Sequence, residues 1–274
     1  MPNDATTPPV SASSGAPAAV VAAVLQAGIG ADEPWIPAGE HPSDDGRRWL
    51  VGDTLVQAEP SSQTTSVDGS ADWLAAAGFW HEPGFVVEHG GERWAVTTLD
   101  GRRPGDDPSL HPHPDRVPGL IGAALRELHD VDPAQCPTVF DEAALVARLD
   151  AAVSAGSLDV ARLDAPYNRY EPADLLAMFT SHPGQSTASD AVIHGALSVR
   201  RLLVADGQRP LVLAPTAAGI GDRHRDLATL GHDLHRLFGP DAVFAFHEAY
   251  GTDPDMVALD RQMLLHVLLR AVPA

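Results

Sequence analysis

The chain has 274 residues, 44% hydrophobic and only 5% aromatic, enough to bury one large core or two modest ones in one or two soluble domains. Its 37 acids outnumber 18 basic residues, every one an arginine, and the formal charge of −19 argues against nucleic acid or an anionic membrane as partner, because phosphate binding needs a basic patch. A single cysteine, Cys136, excludes an internal disulfide and a cysteine-built zinc knuckle, and no run approaches the ~18 apolar residues of a membrane-spanning helix, so a cytoplasmic location is expected.

Met1 to Pro17 is Pro, Ala, Ser and Thr with no basic start and no apolar run of signal-peptide length, which predicts a disordered tail. Ala18 to Ala27 is apolar on most faces and predicts a short helix ended by Gly28 and Gly30. Between Arg47 and Thr98 come strand-favouring runs, WLVGDTLVQA, FVVEHG and RWAVTTL, the last two joined at Gly90-Gly91. A helix at Ala71 to Ala77 interrupts them. Residues 18–100 thus read as a small strand-rich unit with one helix packed on it.

From Asp115 the pattern turns helical. RVPGLIGAALRELHDV, DEAALVARLDAAVSAG and EPADLLAMFTSH place apolar residues three and four apart, with Asp141 and Glu171 as first-turn acids. LLVADGQRPLVLA then reads as strand, turn at Asp206-Gly207, strand, and helices follow over Arg223 to Leu237 and Asp255 to Val272. Residues 101–274 form a mainly helical unit with one hairpin, and the fold class is α+β. Antiparallel pairing brings the outer ends of a hairpin together, so His194 to Arg201 and Ala214 to Thr216 are expected at one end, where a site would form.

The segment from Val192 to Ala228, with HDVDPAQCP at His129 to Pro137 and FGPDAVFAFHEAYGTDPD at Phe238 to Asp255, resembles the aminoglycoside phosphotransferase family, in particular its 3'-phosphotransferases. The likeness covers nearly everything after residue 45. It implies a protein-kinase-like fold with a strand-rich N-lobe and a larger helical C-lobe. Where the family reads His-Gly-Asp and then, a few residues on, Asn, this chain has His194-Gly195-Ala196 and Arg201. Where the family has Ile-Asp-x-Gly, the chain has Leu213-Ala214-Pro215-Thr216, and the phrase that follows survives from Gly219 through Asp222 and Asp226 to Ala228. In LVQAEP the phosphate-binding Lys position falls on Gln57, and its Glu partner near Val67, one residue from Asp68.

Phosphoryl transfer needs a base-like Asp, an Asn and an Asp on Mg²⁺, and a Lys on the nucleotide phosphates. The methyl of Ala196 orients no hydroxyl, the guanidinium of Arg201 has donors but no lone pair, and Ala214 offers a hard cation no oxygen. The resemblance with these losses implies no intact catalytic residue at Ala196 or Arg201, no intact cofactor-binding residue at Gln57 and no intact metal ligand at Arg201 or Ala214. It also implies no cofactor, and a pseudokinase-type binding or scaffold protein whose partner is an unidentified small molecule or protein. His194, Gly195, Asp222 and Asp226 are remnants that hold the loop and helix start, with Asp222 as a helix cap. Arg201, with Arg200, would fill the lost metal's space and pair with an anion, with Asp222 or with another acid. The positions matching the family's acidic aminoglycoside pocket include Ala165, Pro166, His266 and Val267, with Asp159, Asp164 and Glu171 near them. Two alternatives stand beside this reading. One is an active ATP- and Mg²⁺-dependent phosphotransferase for an aminoglycoside or other small hydroxyl substrate, rerouted through Asp206 or Asp222. The other is a zinc site among the 13 histidines, from His232 and His235 on one helical face with His224 one to two turns earlier, or from His111-Pro112-His113 in a loop.

Overall fold

The computed structural model of the protein describes residues 15–30, 32–38, 47–59, 70–112, 115–163, 165–182, 191–213, 218–251, 253 and 255–273. The chain divides into two compact units, Met1–Thr64 with Glu82–Arg103, and Thr65–His81 with Pro104–Ala274.

The first unit is an antiparallel sheet in the order β1-β2-β3-β5-β4, made of β1 (Trp35–Pro37), β2 (Arg48–Val51), β3 (Thr54–Ala58), β4 (Phe85–His89) and β5 (Glu92–Thr98). Helix α1 (Ala18–Gln26) supplies Val20 and Val24 to a core they share with Trp49, Val51, Val56, Trp94 and Val96. Trp49 and Trp94 stack with ring centroids 5.6 Å apart. These side chains come from alternate positions of neighbouring strands, so one face of the sheet carries the apolar burial that holds the unit together. Gln57 lies in β3 opposite Arg48 and Ala95, half-buried. Strand β1 is an edge strand that ends on Pro37, a position where a missing N–H costs no ladder bond.

Helix α2 (Ser70–Ala76) belongs with the second unit. The reading of this helix as packed on the first sheet is corrected: Leu74 is fully buried in the core of the larger unit, with Phe79, Ile121, Leu125 and Val212. The sequence boundary at residue 100 likewise moves to Arg103, inside the two-residue strand β6 (Arg103–Pro104).

The second unit contains α3 (Arg116–His129), α4 (Glu142–Ser154), α5 (Pro172–Thr180), α6 (His224–Phe238), α7 (Pro240–Tyr250) and α8 (Met256–Arg270). Helix α3 packs on α7 through Gly122, whose missing side chain admits the Phe246 carbonyl, and Phe246 is itself fully buried. A second cluster joins Leu149 of α4, Leu175 and Phe179 of α5, and Leu265 and Leu268 of α8, each large side chain contributing roughly 1.5–3 kcal/mol by its burial. Asp141 accepts the Ala144 amide at the start of α4, and Asp255 accepts those of Val257 and Ala258 at the start of α8, so both are helix N-caps.

Four short strands sit among these helices: β7 (Ala191–Ile193), β8 (Leu202–Val204), β9 (Leu211–Val212) and β10 (Gly219–Gly221). Strands β8 and β9 are the hairpin expected from the sequence, paired Leu202 with Val212 and Leu203 with Leu211. Outside it, β7 pairs antiparallel with β10. The hairpin is therefore nested in a second ladder.

Candidate functional site

Strand β7 delivers the chain at Ile193 into His194-Gly195-Ala196, and a turn of 3₁₀ helix at Val199–Arg201 leads into β8. The Leu213 amide donates to the Arg201 carbonyl at 2.7 Å, so the chain leaves β9 beside the end of this loop. Ala214, Pro215 and Thr216 lie outside the described residues, as do Val67, Asp68, His113 and Asp164. Gly195 adopts φ +78°, a left-handed conformation that costs a side-chain-bearing residue about 1–2 kcal/mol.

A buried carboxylate holds the loop. Asp226, in the first turn of α6 and fully inaccessible, accepts the His194 amide at 2.7 Å and the Gly195 amide at 2.9 Å. His129 of α3 reaches the same carboxylate at 3.4 Å through Nε2, and its Nδ1 shares a 2.9 Å hydrogen bond with the Tyr250 hydroxyl. An Nε2–H serving Asp226 leaves Nδ1 to accept from tyrosine, the one tautomer that satisfies both contacts. Burial by itself would raise the Asp226 carboxyl, but the contacts from His129 and His194 outweigh it and hold the group below the usual carboxylate range. From the other side Arg225 donates through Nε to the Gly195 carbonyl at 3.1 Å; burial lowers its guanidinium to about 10, against the opposing pull of Asp226 and Glu142.

Asp222 is tied up locally. Its Oδ1 accepts the His224 amide at 3.0 Å and shares a 2.7 Å contact with His224 Nδ1, while Gln262 Nε2 donates to Oδ2 at 3.4 Å and to Glu142 at 2.6 Å. Burial pushes this carboxyl up, and the His224 and Gln262 hydrogen bonds bring it below its ordinary value. The N-cap position of α6 is Arg223, so Asp222 supports the helix start from one residue before the cap.

The positions that would do chemistry look different. Ala196 contributes a methyl group to the loop, and its amide donates to His194 Nδ1 at 3.4 Å. Arg201 is half-buried with its guanidinium end enclosed; burial first, then neighbouring Arg200, lower it to about 10, with Asp233 of α6 opposing them. Asp233 also accepts the Val199 amide at 3.1 Å. Arg200 meets Asp106 at 3.4 Å. Of the two metal positions that the resemblance assigns, Arg201 is the one among the described residues, and its guanidinium has no lone pair to offer Mg²⁺. Asp206 sits at the turn of the hairpin, the end away from the loop, paired to Arg116 at 2.8 Å.

Sequence reasoning missed Arg225, Tyr250 and Asp233. The signal for Asp233 was present: it lies seven residues after Asp226, on the same face of α6 as buried Leu230, and a carboxylate on an apolar face demands a partner. Among the described residues the predicted histidine cluster does not assemble. His224 is spent on Asp222 and on the Asp255 amide, His111 packs edge-on to Phe238, and His235 is exposed.

Comparison with known proteins bears on this arrangement. A family model described as the phosphotransferase enzyme family matches residues 43–260. An aminoglycoside 3'-phosphotransferase of Escherichia coli is 27% identical over 161 residues, 57% of this chain and 58% of that protein. A streptomycin 3''-kinase of Streptomyces griseus is 30% identical over 154 residues, 50% of this chain and 54% of that protein. The matches thus span a little over half the length of these curated relatives. Among solved structures, an aminoglycoside-3'-phosphotransferase of type VIII superposes with a TM-score of 0.64 at 26% identity, covering 91% of this chain and 99% of the other. Aminoglycoside phosphotransferase APH(3'')-Id of Streptomyces rimosus gives 0.68 at 20% identity, over 91% and 97%, a likeness of fold. The α+β, protein-kinase-like fold expected from the sequence is the one these structures share.

Proposed function

Because the chain belongs to the phosphotransferase enzyme family, we propose that it is a member that keeps the frame of the catalytic loop and has lost phosphotransferase activity, acting by binding a small molecule or a protein. Support comes chiefly from one observation: the His194 and Gly195 amides are held by Asp226 and the Gly195 carbonyl by Arg225, while the residue they present is Ala196. A loop that had decayed with its chemistry would have no reason to keep a buried carboxylate and a guanidinium Nε–H bonded to its backbone. Enclosed Arg201 and uncharged Gln57 support the same reading from the metal and phosphate sides. Names of relatives make aminoglycoside phosphorylation the activity proposed as lost. Charge favours cationic or neutral ligands over nucleic acid or membrane, a cytoplasmic setting is proposed with it, and ATP and Mg²⁺ are not cofactors in this account.

Thermal denaturation with ATP or ADP, with and without Mg²⁺, tests it. A ligand present at about 100 times its Kd stabilises by about 2.7 kcal/mol, a rise of roughly 5 °C or more for a chain of this size. No Mg²⁺-dependent rise is expected. A saturable rise that needs both nucleotide and Mg²⁺ would sink the reading.

A further inference from the structure

His266 of α8 meets His232 of α6 with ring centroids 5.1 Å apart, and Asp233 follows His232 in the helix. One donor atom from each of the three lies within 4.8 Å of the others. His232 Nδ1 and His266 Nε2 are both buried and have no hydrogen-bond partner, and His232 Nδ1 stands 3.8 Å from Asp233 Oδ1, too far for a hydrogen bond. Two imidazole nitrogens left without partners in an enclosed place cost free energy unless something takes their lone pairs or protons. An ion with bonds of about 2.0–2.2 Å wants its donors roughly 3.3–3.6 Å apart, so small side-chain rotations close the set.

We propose that His232, Asp233 and His266 form a three-ligand site for a divalent transition ion of the zinc type, stapling α6 to α8. Imidazole with one carboxylate suits Zn²⁺, Co²⁺ or Ni²⁺ and not the oxygen-seeking Mg²⁺. Positive charge nearby sharpens the choice: Arg201 lies near Asp233, and Arg225 and Arg270 near His266, so an ion held by charge alone gains little. His232 also lines a cavity of about 300 Å³ with Gly231, His247 and Met263. The staple reaches the degenerate loop directly, because Asp233 Oδ2 accepts the Val199 amide two residues before Arg201. The site is independent of nucleotide binding, so it stands or falls apart from the loss of phosphotransfer.

Calorimetric titration of the chelator-stripped full chain with Zn²⁺, repeated with Co²⁺ read by its visible absorption, tests the proposal. One saturable equivalent is expected, weakened about ten-fold or more in His266→Gln and in Asp233→Asn, and unchanged in His235→Gln, one turn along and exposed. X-ray absorption on the zinc-loaded unmodified chain serves where a variant fails to fold, and two imidazoles in the ion's shell are expected. No saturable uptake, undiminished affinity in His266→Gln, or a shell without imidazole would each overturn it.

Discussion

At the scale of single residues the protein turns on Asp226 and Ala196. Asp226→Asn keeps the shape and removes the charge from an acceptor of two backbone amides in a fully buried place, so unfolding in urea should show a loss of about 2–4 kcal/mol. The sign with pH follows from the direction of the shift. Its carboxyl is held below its unfolded value of about 3.9, so the stabilisation is complete above that pH and is lost as pH falls through the lower folded value. Acid titration of stability should therefore fall more steeply below about pH 4 in the unmodified chain than in Asp226→Asn. Ala196→Asp restores one carboxylate to the loop, yet Arg201 still offers a metal no lone pair; no transfer activity is expected from this substitution alone, measured against the parent chain.

Among the elements, the outer ladder is closely fitted. A side chain at Gly219 in β10 would meet the Phe140 amide at 2.6 Å, a backbone contact that cannot swing away. Gly219→Ala should cost about 1–3 kcal/mol by overpacking, and the cap substitution Asp255→Ala at α8 about 1 kcal/mol, both read from urea midpoints. Long periodic elements were legible in the sequence: α3, α4, α5, α6, α8 and the β4–β5 and β8–β9 hairpins fall where spacing and turn residues put them. β7 and β10 were not, because Ala-Val-Ile and Gly-Ile-Gly are too short to show a period, and the glycines of β10 serve close approach rather than a turn. The placement of α2 failed for another reason. Its neighbours in sequence are strands of the first unit, while Leu74 finds its burial beside Ile121 in the second, and a single sequence does not state which apolar faces meet. At the site, the motif positions were readable one by one; the Arg225 and Tyr250 contacts were not, since they join residues 30 and 121 positions apart.

For the whole molecule, three apolar clusters hold the two units, and in the second unit a buried hydrogen-bonded network anchors the loop that presents Ala196. The proposed reading rests on three positions: a methyl at Ala196 and an enclosed guanidinium at Arg201 in the second unit, and an uncharged amide at Gln57 in the first. On the proposed reading, base, metal ligand and phosphate clamp are lost together, and each alone accounts for orders of magnitude in rate. The most direct test is transfer of the terminal phosphate of ATP, with Mg²⁺ and the protein in excess over each of a panel of aminoglycosides. The account predicts no phosphorylated product above a heat-denatured control; Mg²⁺-dependent formation of a phospho-aminoglycoside by the unmodified chain would contradict it.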